Sequence, residues 1–176
     1  MAIAQQKTAL RQKVKLLLNL LSAEEITAKS AAIFAQVEAL EQFKSAKNIF
    51  AYSSLATEVQ THDFLQRWSK EKNIFLPIVR GNELLIGKFG ALKTGKQFGI
   101  LEPETALAVV PPLDLAIVPG LAFDRQNNRL GRGKGFYDKF FKINNLYKIG
   151  VCFSCQLFDE IPHEVFDVKM DSVICA

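Results

Sequence analysis

The segment from Val118 to Phe141 reads VPGLAFDRQNNRLGRGKGFYDKFF. An apolar run, Leu115-Ala116-Ile117-Val118, leads into it and has the character of a buried strand. A polar loop follows, then glycines at alternate positions, Gly131, Gly133 and Gly135, with Arg132 and Lys134 between them. Phe136, Tyr137, Phe140 and Phe141 recur beyond at helical spacing. The order strand, loop, glycine run, helix brings backbone N–H groups and two cations to a helix N-terminus, where the dipole also favours an anion. Glycine has no Cβ, so a ligand can approach the backbone closely. The stretch reads as a phosphate cradle. A glycine-rich turn with incidental charges is the other reading of a bare G-x-G-x-G.

The common phosphate fingerprints do not fit. A P-loop needs glycine at position 128 and a hydroxyl at position 135, where the chain has Asn128 and Gly135. The dinucleotide pattern needs glycine at position 136, which is Phe136.

The chain has 176 residues, which predicts one domain over 1–176. An apolar share of 49% is ample for a core. The net charge of +4 favours an anionic partner, such as a nucleotide, a polyglutamate or a nucleic acid. No long block of like charge is present, which argues against a nucleic-acid tail. No apolar run approaches the ~20 residues of a membrane span, and the N-terminus lacks the apolar core of a signal peptide. The three cysteines, Cys152, Cys155 and Cys175, make no disulfide framework, and a cytoplasmic location is expected. Cys152 and Cys155 form a C-x-x-C inside an apolar strand, which favours buried thiols over redox or zinc chemistry.

Working outward, residues 4–21 predict an amphipathic helix with Leu10, Val14, Leu17, Leu18 and Leu21 inward. Lys7, Arg11 and Lys15 stack on another face, a solvated basic stripe by spacing alone. Ser22 and Glu25 form a capping box for a second helix to about residue 41. Strands are predicted over 48–53, 74–79, 84–89, 148–153 and 172–175. A helix with Phe64, Leu65 and Trp68 is capped by Thr61 or Asp63. Residues 90–112 read as irregular. Strands alternating with helices predict an α/β fold with a largely parallel, doubly wound sheet and helices on both faces. Sites in such folds lie beyond the carboxyl ends of strands, where the 54–61 and 119–135 loops fall.

Nucleophilic machinery is thin. His62 starts a helix and His163 follows Pro162, with no obvious serine or cysteine partner. The zinc motif H-E-x-x-H is absent, because Asp167 stands where the second histidine would be. Basic groups, glycines and a few carboxylates remain, a set suited to phosphoryl transfer.

The string RLGRGKGFYD, Arg129 to Asp138, closely resembles the signature R-L-G-R-G-x-G-[FY]-Y-D of the 5-formyltetrahydrofolate cyclo-ligase family (5,10-methenyltetrahydrofolate synthetases). Weaker matches span the chain: Leu76-Pro77, Phe98-Gly99-Ile100 with Pro103, Val118-Pro119-Gly120 with Phe123-Asp124, Gly150, Gln156, Pro162 and Asp167. Phe166 departs, since many relatives carry His there.

The resemblance implies ATP- and Mg²⁺-dependent closure of 5-formyltetrahydrofolate to 5,10-methenyltetrahydrofolate, releasing ADP and phosphate. It implies that Lys7, Arg11, Arg129, Leu130, Gly131, Arg132, Gly133, Lys134, Gly135, Phe136 and Tyr137 hold the nucleotide. Arg132 and Lys134 are the implied catalytic cations. Tyr52, Glu58, Arg132, Gly133, Lys134, Gly135 and Phe136 are implied to hold the folate, with backbone near Ala51 and Tyr52 contributing. Glu58 and Thr61 match an E-[VI]-x-T motif; by itself Glu58 reads as surface charge. Asp138 and Asp171 are the implied Mg²⁺ ligands. By themselves, Asp138 reads as an anion in a first helical turn and Asp171 as a turn residue. The implied partners are ATP and the folate, polyglutamylated forms included, bound by a cytoplasmic monomer with no nucleic acid and no membrane. The competing expectations are a sugar-phosphate isomerase or CoA-transferase-like enzyme on the same scaffold, and a basic nucleotide- or RNA-binding module.

Overall fold

The computed structural model describes residues 2–95 and 99–176. Phe98, one of the weaker matches above, lies outside the described residues. Three helices come first: α1 (Ile3–Leu18), α2 (Ala23–Ala39) and α3 (Glu41–Ser45). Strand β1 (Asn48–Phe50), helix α4 (His62–Trp68) and strands β2 (Asn73–Arg80) and β3 (Glu83–Lys88) follow. A small hairpin, β4 (Leu92–Thr94) with β5 (Leu101–Pro103), precedes β6 (Leu115–Pro119), β7 (Ala122–Asp124) and β8 (Arg129–Leu130). Helix α5 (Phe136–Ile143), β9 (Tyr147–Cys152), β10 (Leu157–Phe158) and β11 (Ser172–Cys175) complete the chain.

The main sheet has the order β11-β9-β6-β1-β2-β3, parallel throughout except for β3 at one edge. Its central strands are covered on both faces, which is why Leu115 to Val118 is continuously apolar. Alternate side chains divide between two clusters. Ile49, Leu115 and Ile117 pack with Val14, Ile33, Phe34 and Phe64 from α1, α2 and α4. Phe50, Ala116 and Val118 pack with Phe140 and Phe141 of α5. The doubly wound, largely parallel α/β sheet expected from the sequence is the one formed.

Local differences have local causes. The expected second helix stops at Ala39 because Leu40 takes an extended backbone, φ −69° and ψ 138°. This turns Phe43 of α3 into the core beside Phe64 and Trp68. The capping box is present, with Ser22 N donating to Glu25 Oε2 and Glu25 N to Ser22 Oγ. The strand expected over 48–53 ends at Phe50. Residues 90–112 carry a hairpin, and the loop after β6 carries β7 and β8, which β10 joins to make a second sheet of order β10-β7-β8. Cys155 falls in a 3₁₀ turn rather than in the strand with Cys152. All three cysteines are free, and burial pushes the Cys152 and Cys155 thiols up, as expected for unreactive sulfur. Among the described residues no helix is long and apolar enough to cross a membrane.

Asp124 fixes the turn that aims β8 at the glycine run. Its Oδ1 accepts from the backbone N–H groups of Gln126 and Asn128, and its Oδ2 from Asn128 Nδ2 and Ile161 N. Burial works to raise its pKa, but the bonds from Asn128, Ile161 and Gln126 together hold the carboxyl below its ordinary value. The stability this contributes is fully present above the unfolded aspartate's value, near pH 4. It is lost as pH falls through the lower folded value. Asp124→Asn turns an NH₂ toward donors and is expected to cost about 2–3 kcal/mol at neutral pH. Denaturant titrations at pH 7 and pH 3 should show the gap between wild type and variant narrowing in acid.

Candidate active site

A cavity of about 560 Å³ opens where the chain leaves the carboxyl ends of β1 and β6, at Tyr52, Ser53, Pro119 and Gly120. Part of its wall, from β2, β3, β5, the residue before β5 and the loop after β1, is apolar: Leu55, Pro77, Val79, Leu84, Ile100 and Leu101. Another part is charged. It carries Lys7 and Arg11 of α1, Lys134, Lys139 and Lys142 in and before α5, and Glu164 and Asp167 of the following loop.

The glycine run lies between them. Gly133 and Gly135 have φ of +99° and +68°, left-handed values that disfavour a side chain. Gly135 is the N-cap of α5, so the first N–H groups of the helix border the cavity. Gly131 is small for a different reason. A Cβ there would stand 2.9 Å from Nη1 of Arg129. The Arg129 side chain is only 4% exposed. Its Nη1 donates to the Pro119 carbonyl, its Nη2 pairs with Asp138 Oδ2 at 3.3 Å, and its guanidinium lies 5.2 Å from the Tyr137 ring. Its buried Nε has no hydrogen-bond partner among the described residues. Arg11 Nε donates to the Gly131 carbonyl at 2.9 Å, tying α1 to the run.

The loop after β1 positions Glu58. Thr61 Oγ1 donates to the Tyr52 carbonyl and accepts from Ser54 N, and Tyr52 Oη donates to the Val59 carbonyl. Glu58 then reaches over to Arg132, which donates to its Oε1 from Nη2 at 2.8 Å and from Nε at 3.2 Å. Burial, with the Glu58 carboxylate adding to it, pushes the Tyr52 and Tyr137 phenols up, so both stay protonated.

Lys7 does not face solvent as an amphipathic stripe would predict. Its ammonium is held by Asp167 Oδ2 at 2.6 Å and Glu164 Oε2 at 2.7 Å. Burial opposes the charge, but those two carboxylates outweigh it and raise the Lys7 pKa. Lys15, the third cation of the stripe, is exposed.

The cavity therefore gathers Lys7, Arg11, Tyr52, Glu58, the whole run Arg129 to Tyr137, and Asp138. It does not gather Asp171. That carboxylate accepts from Lys148 N and pairs with Lys148 Nζ, both at 2.7 Å, beside β9, and Asp171 does not line the cavity. Asp171 sits in the turn before β11, which docks parallel to β9. Asp138 itself lines the cavity, with Oδ1 accepting from Val168 N. One carboxylate completed by phosphate oxygens and water is an ordinary Mg²⁺ set, and Asp138 fits it. Ala51 is fully buried and lies outside the lining. Sequence reasoning missed Thr8, Lys139, Lys142 and Glu164. The lysines were legible only as polar positions on α5, and Glu164 only as half of a failed zinc motif.

A cavity at the carboxyl edge of a doubly wound sheet, apolar on one wall and charged on another, defines an α/β protein whose site suits a partly anionic ligand. The family model described as the 5-formyltetrahydrofolate cyclo-ligase family matches residues 3–176, and the chain belongs to that family of enzymes. A probable 5-formyltetrahydrofolate cyclo-ligase of Caenorhabditis elegans is 31% identical, covering 98% of this chain and 94% of its own. The 5-formyltetrahydrofolate cyclo-ligase of Haemophilus influenzae is 30% identical over 97% of each chain. The solved 5,10-methenyltetrahydrofolate synthetase of Aquifex aeolicus superposes with a TM-score of 0.86 at 35% identity, covering 96% of this chain and 89% of that one.

Proposed function

We propose that this chain closes 5-formyltetrahydrofolate to 5,10-methenyltetrahydrofolate at the expense of ATP. The observation that carries the reading is the junction of Gly131–Gly135, Arg11 and buried Arg129 on one side of a single cavity with Glu58 and the apolar wall on the other. The first set suits a triphosphate, and the second a flat folate whose ring presents paired N–H donors to a carboxylate.

The formyl group on N5 is an amide, and its oxygen is a poor leaving group. That oxygen attacks the γ-phosphorus, the bond to the β–γ bridging oxygen breaks, and ADP departs. The N10 lone pair then attacks the activated formyl carbon and closes the five-membered ring. The carbon–oxygen bond breaks, phosphate leaves with the N10 proton, and the methenyl cation remains. Lys7, Arg11 and Arg129 hold the triphosphate, and Arg132 and Lys134 offset charge on the moving phosphoryl group. Asp138 would hold Mg²⁺, which neutralises triphosphate charge when bound. Glu58, Tyr52 and the run from Arg132 to Phe136 hold the folate. A neutral amide oxygen needs no general base to attack phosphorus, so the lack of a cavity histidine is no obstacle. The protein acts as a cytoplasmic monomer in this reading.

Mixing protein, 5-formyltetrahydrofolate, Mg²⁺ and ATP should generate the methenyl absorbance, and omitting ATP should abolish it. Equal product without ATP would refute the phosphoryl-transfer route.

A further inference from the structure

We propose that Phe166 is the platform on which the nucleobase of the bound nucleotide stacks. This rests on the nucleotide reading above and adds to it the residue that selects a nucleotide over a bare polyphosphate. Phe166 is 55% exposed yet lines the cavity, so the chain itself leaves much of the ring uncovered. The ring does not belong to a loose tip. Glu164 N donates to Asp167 Oδ2 and Asp167 N to the Glu164 carbonyl, and both carboxylates clasp Lys7. Lys7 Nζ stands 5.9 Å and Lys142 Nζ 5.6 Å from the ring centroid. A ligand that covers this ring must be flat, and must carry an anion to the cations beside it. A nucleoside polyphosphate has that shape. The other flat ligand, the pterin, already has a wall of its own in Leu55, Pro77, Val79 and Leu84.

The alternative is that the ring only holds Lys7 and Lys142 in place, and two ligands separate the cases. Wild type, Phe166→Ala and Phe166→Trp are titrated calorimetrically with ATP and with inorganic tripolyphosphate, after thermal unfolding has confirmed that each is folded. Phe166→Ala should weaken ATP by about five- to a hundredfold. It should leave tripolyphosphate within about twofold, because that probe has no base to stack. Phe166→Trp should retain ATP binding. In turnover, the alanine variant should raise KM for ATP but not for 5-formyltetrahydrofolate. Unchanged ATP affinity in Phe166→Ala, or an equal loss of ATP and tripolyphosphate, would overturn the platform while leaving the nucleotide reading intact. Wild type that binds neither probe would remove both.

Discussion

Arg132→Ala is expected to lower turnover by about a hundred- to a thousandfold, while the chain unfolds at nearly the wild-type temperature. The two halves of that expectation come from the same geometry. Arg132 is about a third exposed and turns its fork onto Glu58 Oε1. The Glu58 side of this pair is only 12% exposed, so the pair contributes about 1 kcal/mol to folding, the upper end for an ion pair open to water on one side. The same fork lies within the glycine run, where charge on a transferring phosphoryl group would gather. Donors aimed at developing charge act mainly in the transition state, so kcat should fall more than KM for ATP rises. Arg132→Lys keeps the charge but not the fork and should fall between. Glu58→Gln separates the partners, since it should raise KM for the folate while sparing single-turnover phosphoryl transfer at saturating substrate. Near-normal turnover in a folded Arg132→Ala protein would remove the arginine from the chemistry.

The parts of the fold that were legible in sequence are those long enough to show a period. Helix α2 has a capping box and inward Ile26, Ile33, Phe34 and Val37, and β6 and β9 are apolar because both faces are covered. Strands β7, β8 and β10 have only 3, 2 and 2 residues, too few for an alternation to appear. The break at Leu40 has no Gly or Pro to announce it. The glycine run was legible as a site, but only part of it is conformational. Gly131 makes room for the Arg129 guanidinium. Gly120 and Gly150, outside the run, face the Phe123 ring at 2.6 and 2.5 Å from an added Cβ. A packing glycine and a ligand-approach glycine look alike in one dimension. The charge pattern misleads similarly. A stripe of Lys7, Arg11 and Lys15 says nothing of Glu164 and Asp167, which lie 157 and 160 residues from Lys7 and meet it only in the folded chain. Asp171 reads by itself as a turn residue, and only the folded chain shows it paired with Lys148.

Arg129→Met should be costly to both folding and nucleotide binding, and the two costs can be told apart. The methionine fills much of the slot beside Gly120 and Gly131, so the loss is mainly electrostatic. Asp138 loses its cationic partner, and the Pro119 carbonyl loses a donor. Removing one member of a buried ion pair costs about 3–5 kcal/mol. The Asp138 side chain is 24% exposed, which lets water take up part of the charge. A loss of about 2–4 kcal/mol follows. Asp138→Asn in the same chain removes the stranded charge and should return about half of that loss, the coupling expected of residues in one network. Nucleotide affinity should not return with it. The Arg129 Nε is buried with no hydrogen-bond partner among the described residues. Under the nucleotide reading, a phosphate oxygen against the glycine run would be its acceptor. Binding energy of this kind belongs to the arginine and not to the balance of charge around it. Thermal unfolding of the single and double variants, beside tripolyphosphate titrations of each, would test both statements. If the double variant regained phosphate affinity along with stability, Arg129 would be a scaffold for Asp138 and not a contact to the ligand.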